Sequence, residues 1–97
     1  MPQFIWNEQK SRSNKLKHGI SFETAALIWS DPNYLLVPDA VYDGEERWLA
    51  IGRNGITTVL VAVHTSYDDN GEETIRIISA RKATAHERKQ YEKSIAH

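Results

Sequence analysis

Apolar residues change their spacing several times along this chain, and each change marks an element. After a short apolar lead-in, Phe4-Ile5-Trp6, residues 8–17 are polar apart from Leu16. A helix without an apolar stripe lies on the surface. Asn7 before Glu8 predicts its N-cap, and Gly19 supplies the left-handed residue that ends it, with Lys15, Lys17 and His18 complementing the negative end of the helix. Ser21 caps a second helix in which Phe22, Ala25, Ala26 and Trp29 recur at i, i+3, i+4 and i+7. That is one buried face, stopped by Asp31-Pro32.

From residue 34 the period becomes that of strands. Residues 34–37 are a short apolar run closed by Pro38, which suits an edge strand, and 39–46 form an acidic loop around Gly44. Strands over 47–53 and 56–65 flank Asn54-Gly55, a strong hairpin signal. A second hairpin turn over 66–71 leads to the β-branched run 74–79. The chain then turns into a helix over 85–95, announced by a capping box of Thr84 with Glu87. These elements predict one α+β domain spanning 1–97, with two N-terminal helices packed on an antiparallel three- to four-stranded sheet and a C-terminal helix.

Alternation assigns side chains to faces. A two-residue turn at Asn54-Gly55 sets Ile51 opposite Thr58, Leu49 opposite Leu60 and Arg47 opposite Ala62. With two or four residues in the next loop, His64 joins Ile75, Ile77, Ser79 and Arg81 on a mixed face that also carries Leu49, Leu60, Arg47 and Arg53. The other face, with Trp48, Ala50, Val59, Val61, Val63, Ile78 and Ala80, packs on the helix pair through Phe22 and Trp29. A three-residue second loop would exchange Arg76 for Arg81 on the mixed face.

Composition narrows the chemistry. Ninety-seven residues supply one modest core, and the lack of cysteine excludes disulfides, thiolate zinc sites and thiol nucleophiles. No apolar run is long enough for a membrane span or a signal-peptide core, so the expected setting is the cytoplasm with no membrane partner. The net charge of −1 does not by itself indicate nucleic-acid binding. Its distribution is more telling: cations gather in 10–17 and 76–93, acids in 39–46 and 68–73.

The strand-to-helix corner Ser79-Ala80-Arg81-Lys82-Ala83-Thr84 puts two cations beside the outward-pointing amides of a helix N-terminus, an arrangement suited to phosphate. RNA scission by a 2′-hydroxyl needs a base, an acid and cations on the phosphorane oxygens. Arg81 and Arg47 are the candidates to hold the phosphate, His64 to act as acid or base, and Glu87 to be its proton partner. Arg76, Lys82, Arg88, Lys17, His18 and Tyr91 are the candidates for further RNA contacts. Seven have a structural reading beside them: a strand-end imidazole for His64, a loop salt bridge for Arg81, the cap for Glu87, core packing for Tyr91, an edge-strand charge for Arg47, helix-end complementation for His18 and a solvated face for Lys17. The histidines have no metal-ligand spacing, so no metal site is expected, and nothing calls for a cofactor. These residues alone leave an enzyme and a non-catalytic binding module both open.

Several blocks carry a resemblance. Phe4-Ile5-Trp6-Asn7-Glu8, the run Asn14-Lys15-Leu16-Lys17-His18-Gly19-Ile20-Ser21-Phe22-Glu23-Thr24-Ala25, Asp31-Pro32, and Arg76-Ile77-Ile78-Ser79-Ala80-Arg81-Lys82-Ala83-Thr84 with Glu87-Arg88 and Tyr91 are similar to the BrnT toxins of bacterial type II toxin–antitoxin pairs. Asn7 stands where that family usually has aspartate. The resemblance implies a RelE-like fold and an endoribonuclease that cleaves RNA and arrests translation and growth. It also implies a BrnA-like ribbon-helix-helix antitoxin, which neutralises the toxin by covering its basic face and alone binds operator DNA. An inactive homologue acting within a repressor complex is the alternative.

Overall fold

The computed structural model describes residues 2–55 and 58–95. Five strands form one mixed sheet in the order β1-β5-β4-β3-β2. They are β1 (Gln3–Ile5), β2 (Leu35–Tyr42), β3 (Glu45–Asn54), β4 (Thr58–Asp69) and β5 (Glu72–Lys82), with helices α1 (Glu8–His18), α2 (Phe22–Ala26) and α3 (Ala85–Ile95). The architecture is α+β as predicted, with three corrections. The apolar lead-in becomes β1, which pairs parallel with β5 through Phe4 opposite Ile75, so the sheet is mixed and five-stranded. The second helix is a single α-helical turn and a half that tightens into a 3-10 turn over Leu27–Ser30. The third correction is to β2, which continues through Pro38 into the predicted acidic loop; Pro38 is tolerated because β2 is an edge, and the pairing shifts between Pro38 and Val41.

The helix boundaries follow the sequence signals. Asn7 accepts from Lys10 N at 3.1 Å, Gly19 ends α1 with φ of 76°, and Ser21 accepts from Thr24 N at 3.2 Å. α1 buries only Ser11, whose hydroxyl accepts from Phe22 N and donates to Glu23, joining the two N-terminal helices. Further along α1, Asn14 acts as a substitute strand. Its amide donates to Ala80 O at 2.8 Å and to Ile20 O at 2.7 Å, and its Oδ1 accepts from Ala80 N at 3.2 Å.

Register decides which side chains meet. Asn54 pairs with Thr58, which leaves three residues between β3 and β4 where two were predicted; residues 56 and 57, assigned above to the strand, lie outside the described residues. The shift by one exchanges the faces of β4 relative to β3. Trp48 stands opposite His64, Ala50 opposite Ala62 and Ile51 opposite Val61. A bulge between Val63 and His64 then inserts Ile78 into β5: His64 pairs with Ile77, whereas Val63 pairs with Ser79 and Val61 with Arg81.

The sheet therefore carries two cores. On one side Ile20, Phe22, Ala25, Ile28 and Trp29 pack on Ala50, Leu60, Ala62, Ile75, Ile77 and Ala80. On the other, Ile51, Val59, Val61 and Tyr91 cluster with Leu35, Val37, Leu49, Ala83 and Ile95, so α3 covers this face. Val59 and Val61, predicted to face the helix pair, face α3 instead, and Leu60 and Ile77 make the reverse exchange.

Candidate active site

The corner between β5 and α3 is built by the capping box. Glu87 N donates to Thr84 Oγ1 at 3.2 Å, and Thr84 N donates to Glu87 Oε1 at 2.9 Å. This fixes the Glu87 carboxylate at the end of β5, where Arg81 donates to both of its oxygens, Nη1 to Oε1 at 2.7 Å and Nη2 to Oε2 at 2.9 Å. Two parallel bonds between a guanidinium and a carboxylate are charge-assisted and geometrically specific. The hydrogen bonds from Arg81 hold the Glu87 carboxyl down at about 2, and the same bonds raise the Arg81 guanidinium above its ordinary value. Glu87 is thus ionised and already occupied at neutral pH. Lys82, His86 and Arg88, its neighbours in sequence, are exposed.

His64 does not belong to it. The imidazole projects from the opposite side of the sheet, is 2% exposed, and meets the Trp29 ring edge-on at 4.8 Å. Nδ1 lies 3.3 Å from Ala62 O, and burial pushes the ring below its ordinary value. The predicted convergence of His64 with Arg81 is overturned by the β5 bulge, which keeps His64 with Ile77 but turns Ser79 and Arg81 to the α3 side.

Arg47 and Arg76 do share the α3 side with Arg81. Alternation from Trp48 places Arg47 there, and Arg76 pairs with Thr65 on the same face. They stand beyond the reach of α3. Thr65 and Val61, which mark the positions of Arg76 and Arg81 along β4, are four residues apart, roughly 13 Å. The expectation that Arg47 and Arg81 hold one phosphate is therefore not met: Arg47 lines another cavity of about 250 Å³ with Asn7, Lys10, Arg76, Ile77 and Ile78. Its guanidinium lies 4.3 Å from the centroid of Tyr42, and Arg76 pairs with Glu45 at 2.9 Å.

The remaining candidates are dispersed. Lys17 and His18 are exposed on the last turn of α1. Tyr91 is 1% exposed and takes no place at the corner: its hydroxyl donates to Asp31 Oδ2 at 2.5 Å, and burial together with that carboxylate pushes it up to about 12. Sequence reasoning missed Asp31, reading it only as a helix stop. Its carboxylate also accepts from Arg53 N and Asn33 N, both at 2.9 Å, and these bonds outweigh burial to hold it below the usual carboxylate range. Asp31, Arg53 and Tyr91 line a cleft of about 450 Å³ with Ser30, Asn33 and Ile95. The Asp-Pro-Asn run was the available signal, since an aspartate before such a turn bonds the amide two residues on.

A cation poised at a capped strand end, with further cations along one open sheet face, is a surface for a polyanion. A family model described as the ribonuclease toxin BrnT of type II toxin–antitoxin systems matches residues 6–87, which takes in the helix pair, β2 to β5 and the Arg81–Glu87 corner. This chain belongs to the BrnT family. No curated protein matches it. The crystal structure of the Brucella abortus ribonuclease toxin BrnT superposes with a TM-score of 0.64 at 22% identity, covering 87% of this chain and 99% of that one. At that identity the likeness shows a shared fold. BrnT membership makes the chain a toxin of a type II toxin–antitoxin system and sets its general activity as that of a ribonuclease. No helix among the described residues is long and apolar enough to cross a membrane.

Proposed function

We propose that the chain is a metal-independent endoribonuclease that acts in the cytoplasm, cleaves RNA to arrest translation and growth, and is silenced by a BrnA-like ribbon-helix-helix antitoxin seated on the α3 side of the sheet. The antitoxin, not this chain, contacts operator DNA. The observation that carries the reading is the bidentate Arg81–Glu87 pair at the capped strand end. Phosphate oxygens match the fork of a guanidinium as carboxylate oxygens do, so the scissile phosphate takes the place of Glu87 on Arg81 and is steadied by Arg88. The charge that develops on the phosphorane is then met by cations.

Proton transfer falls to groups at the corner. Glu87, once freed from Arg81, accepts the proton of the attacking 2′-hydroxyl. Among the described histidines, His86 is exposed on the same first turn of α3 and is the imidazole available for the leaving 5′-oxygen.

Arg81→Ala is expected to abolish both growth arrest on induced expression and RNA cleavage by the purified protein, with its circular dichroism unchanged. His86→Ala should lower the cleavage rate about 10²-fold, the usual size of a lost general acid. A folded Arg81→Ala protein with full activity removes the corner from the mechanism.

A further inference from the structure

Beyond the corner, a second cluster of cations lines the cavity at the other end of the α3 side. Lys10 of α1, Arg47 of β3 and Arg76 of β5 converge on it from segments far apart in the chain. Folding has gathered three like charges around about 250 Å³, an arrangement that repels unless an anion enters. A carboxylate answers only one of the three among the described residues. Among the described residues, the Arg76 bridge to Glu45 is the sole ion pair here, and both its side chains are 47% exposed. Exposed pairs of this kind are weak and exchange readily with another anion.

Arg47 is the more telling residue. Its Nε is buried with no hydrogen-bond partner, as is the hydroxyl of Thr65, itself only 3% exposed. A guanidinium kept for packing alone would be given an acceptor for that N–H. Its guanidinium carbon lies over the ring of Tyr42, a residue that remains 55% exposed. Cations beside an exposed aromatic ring are the chemistry that binds a single-stranded nucleic acid, phosphate on the charge and base on the ring.

Taking the ribonuclease reading as given, we infer that Lys10, Arg47, Arg76 and Tyr42 form a second subsite for single-stranded RNA, one that holds a phosphate and a base of the strand cut at Arg81. The roughly 13 Å between the two cation positions exceeds one sugar-phosphate step, so the strand lies along the open sheet face with at least one nucleotide between the subsites. Tyr42 needs an unstacked base, which excludes a continuous duplex. The hairpin tips close the track beyond the subsite, because Asp43, Glu45 and Glu46 of one tip and Asp68, Asp69, Glu72 and Glu73 of the other stand at that end of the sheet. The rest of the RNA leaves past α3.

The test uses 2′-O-methyl oligouridylates of two to eight nucleotides, which lack the nucleophile, with the full-length protein and fluorescence anisotropy as readout. Affinity should climb between two and about five nucleotides and then level off. Lys10→Ala and Tyr42→Ala alter exposed side chains and keep the test independent of the folding of Arg47→Ala. Each should weaken the longer oligomers about tenfold, roughly 1.4 kcal/mol, and flatten the climb. Lys10→Ala should also reduce the slope of log affinity against log salt by about 0.7, the signature of one lost phosphate contact on a single strand. Lys93→Ala, which removes an equal charge from the last turn of α3, should change neither.

Length-independent binding, or wild-type affinity in both variants, overturns the subsite. So does loss of antitoxin binding in those variants with RNA affinity intact, which reassigns the patch to a protein partner. Normal length dependence in a protein that leaves all-ribose oligomers uncut supports the subsite while refuting the nuclease reading.

Discussion

The Tyr91 hydroxyl donates to Asp31 Oδ2 at 2.5 Å, and this one bond ties the middle of α3 to the turn that follows the N-terminal helices. The same oxygen accepts from Arg53 N, so a single carboxylate joins α3, β3 and the start of the sheet. Tyr91→Phe keeps the ring in its cluster and removes only the hydroxyl. It should destabilise the protein by about 1–2 kcal/mol, read as a lower urea midpoint at unchanged slope. Faster amide exchange confined to α3 should accompany it; uniform exchange across the sheet would refute this role.

Gly52 lets Asp31 approach. A Cβ there would stand 2.9 Å from Ile28 Cγ2 and 3.3 Å from Asp31 Oδ2. Gly52→Ala should therefore cost about 1–3 kcal/mol, as overpacked sites do, despite the better strand propensity of alanine. Thermal unfolding is the check, and an unchanged midpoint contradicts the contact.

Acid should destabilise the protein over two ranges of pH. His64 is buried with its pKa below the ordinary 6.5, so the unfolded chain binds the proton first, and the stability His64 contributes is complete above about pH 6.5 and lost as pH falls below it. Glu87, at about 2 against an ordinary 4.5, contributes stability present above about pH 4.5 and lost as pH drops toward 2. Melting temperature against pH should show both limbs. His64→Phe is expected to remove the upper limb and Glu87→Gln to shrink the lower, which Asp31 shares, the latter with a loss of about 1.5–3 kcal/mol at neutral pH.

His64→Phe serves a second purpose. Since the imidazole lies in the core against Trp29, its replacement by a ring of similar shape should leave RNA cleavage by the folded protein within about threefold of wild type, less than the effect of losing a general acid or base. A drop of 10²-fold or more would return this histidine to the chemistry.

Turn chemistry explains what the sequence revealed and what it hid. Three dipeptides end in glycine at hairpin positions. Asp43-Gly44 and Asn70-Gly71 form two-residue turns with positive φ at both residues, between Tyr42 paired with Glu45 and Asp69 paired with Glu72. Asn54-Gly55, read as the strongest signal, does not, because Asn54 itself pairs with Thr58. A tight turn there would have set Ile51 opposite Thr58 and buried the wrong set of β4 side chains, so packing overrode the local preference. The β5 bulge left no trace either, since Ile77 and Ile78 are equally apolar. The corner was legible because a capping box fixes both a helix start and the position of its glutamate. Asp31 was not, because its partners Arg53 and Tyr91 lie 22 and 60 residues away.

The amide of Asn14 has a consequence for self-association. A sheet of five strands has two edges, and exposed edges recruit strands from other molecules into aggregates. On one of them β1 occupies 74–76 of β5 and Asn14 takes both backbone groups of Ala80, so little is left for a foreign strand to grip. On the other, Pro38 and the irregular pairing that follows it interrupt β2. Both edges of the toxin's sheet thus resist the addition of a strand from a second copy.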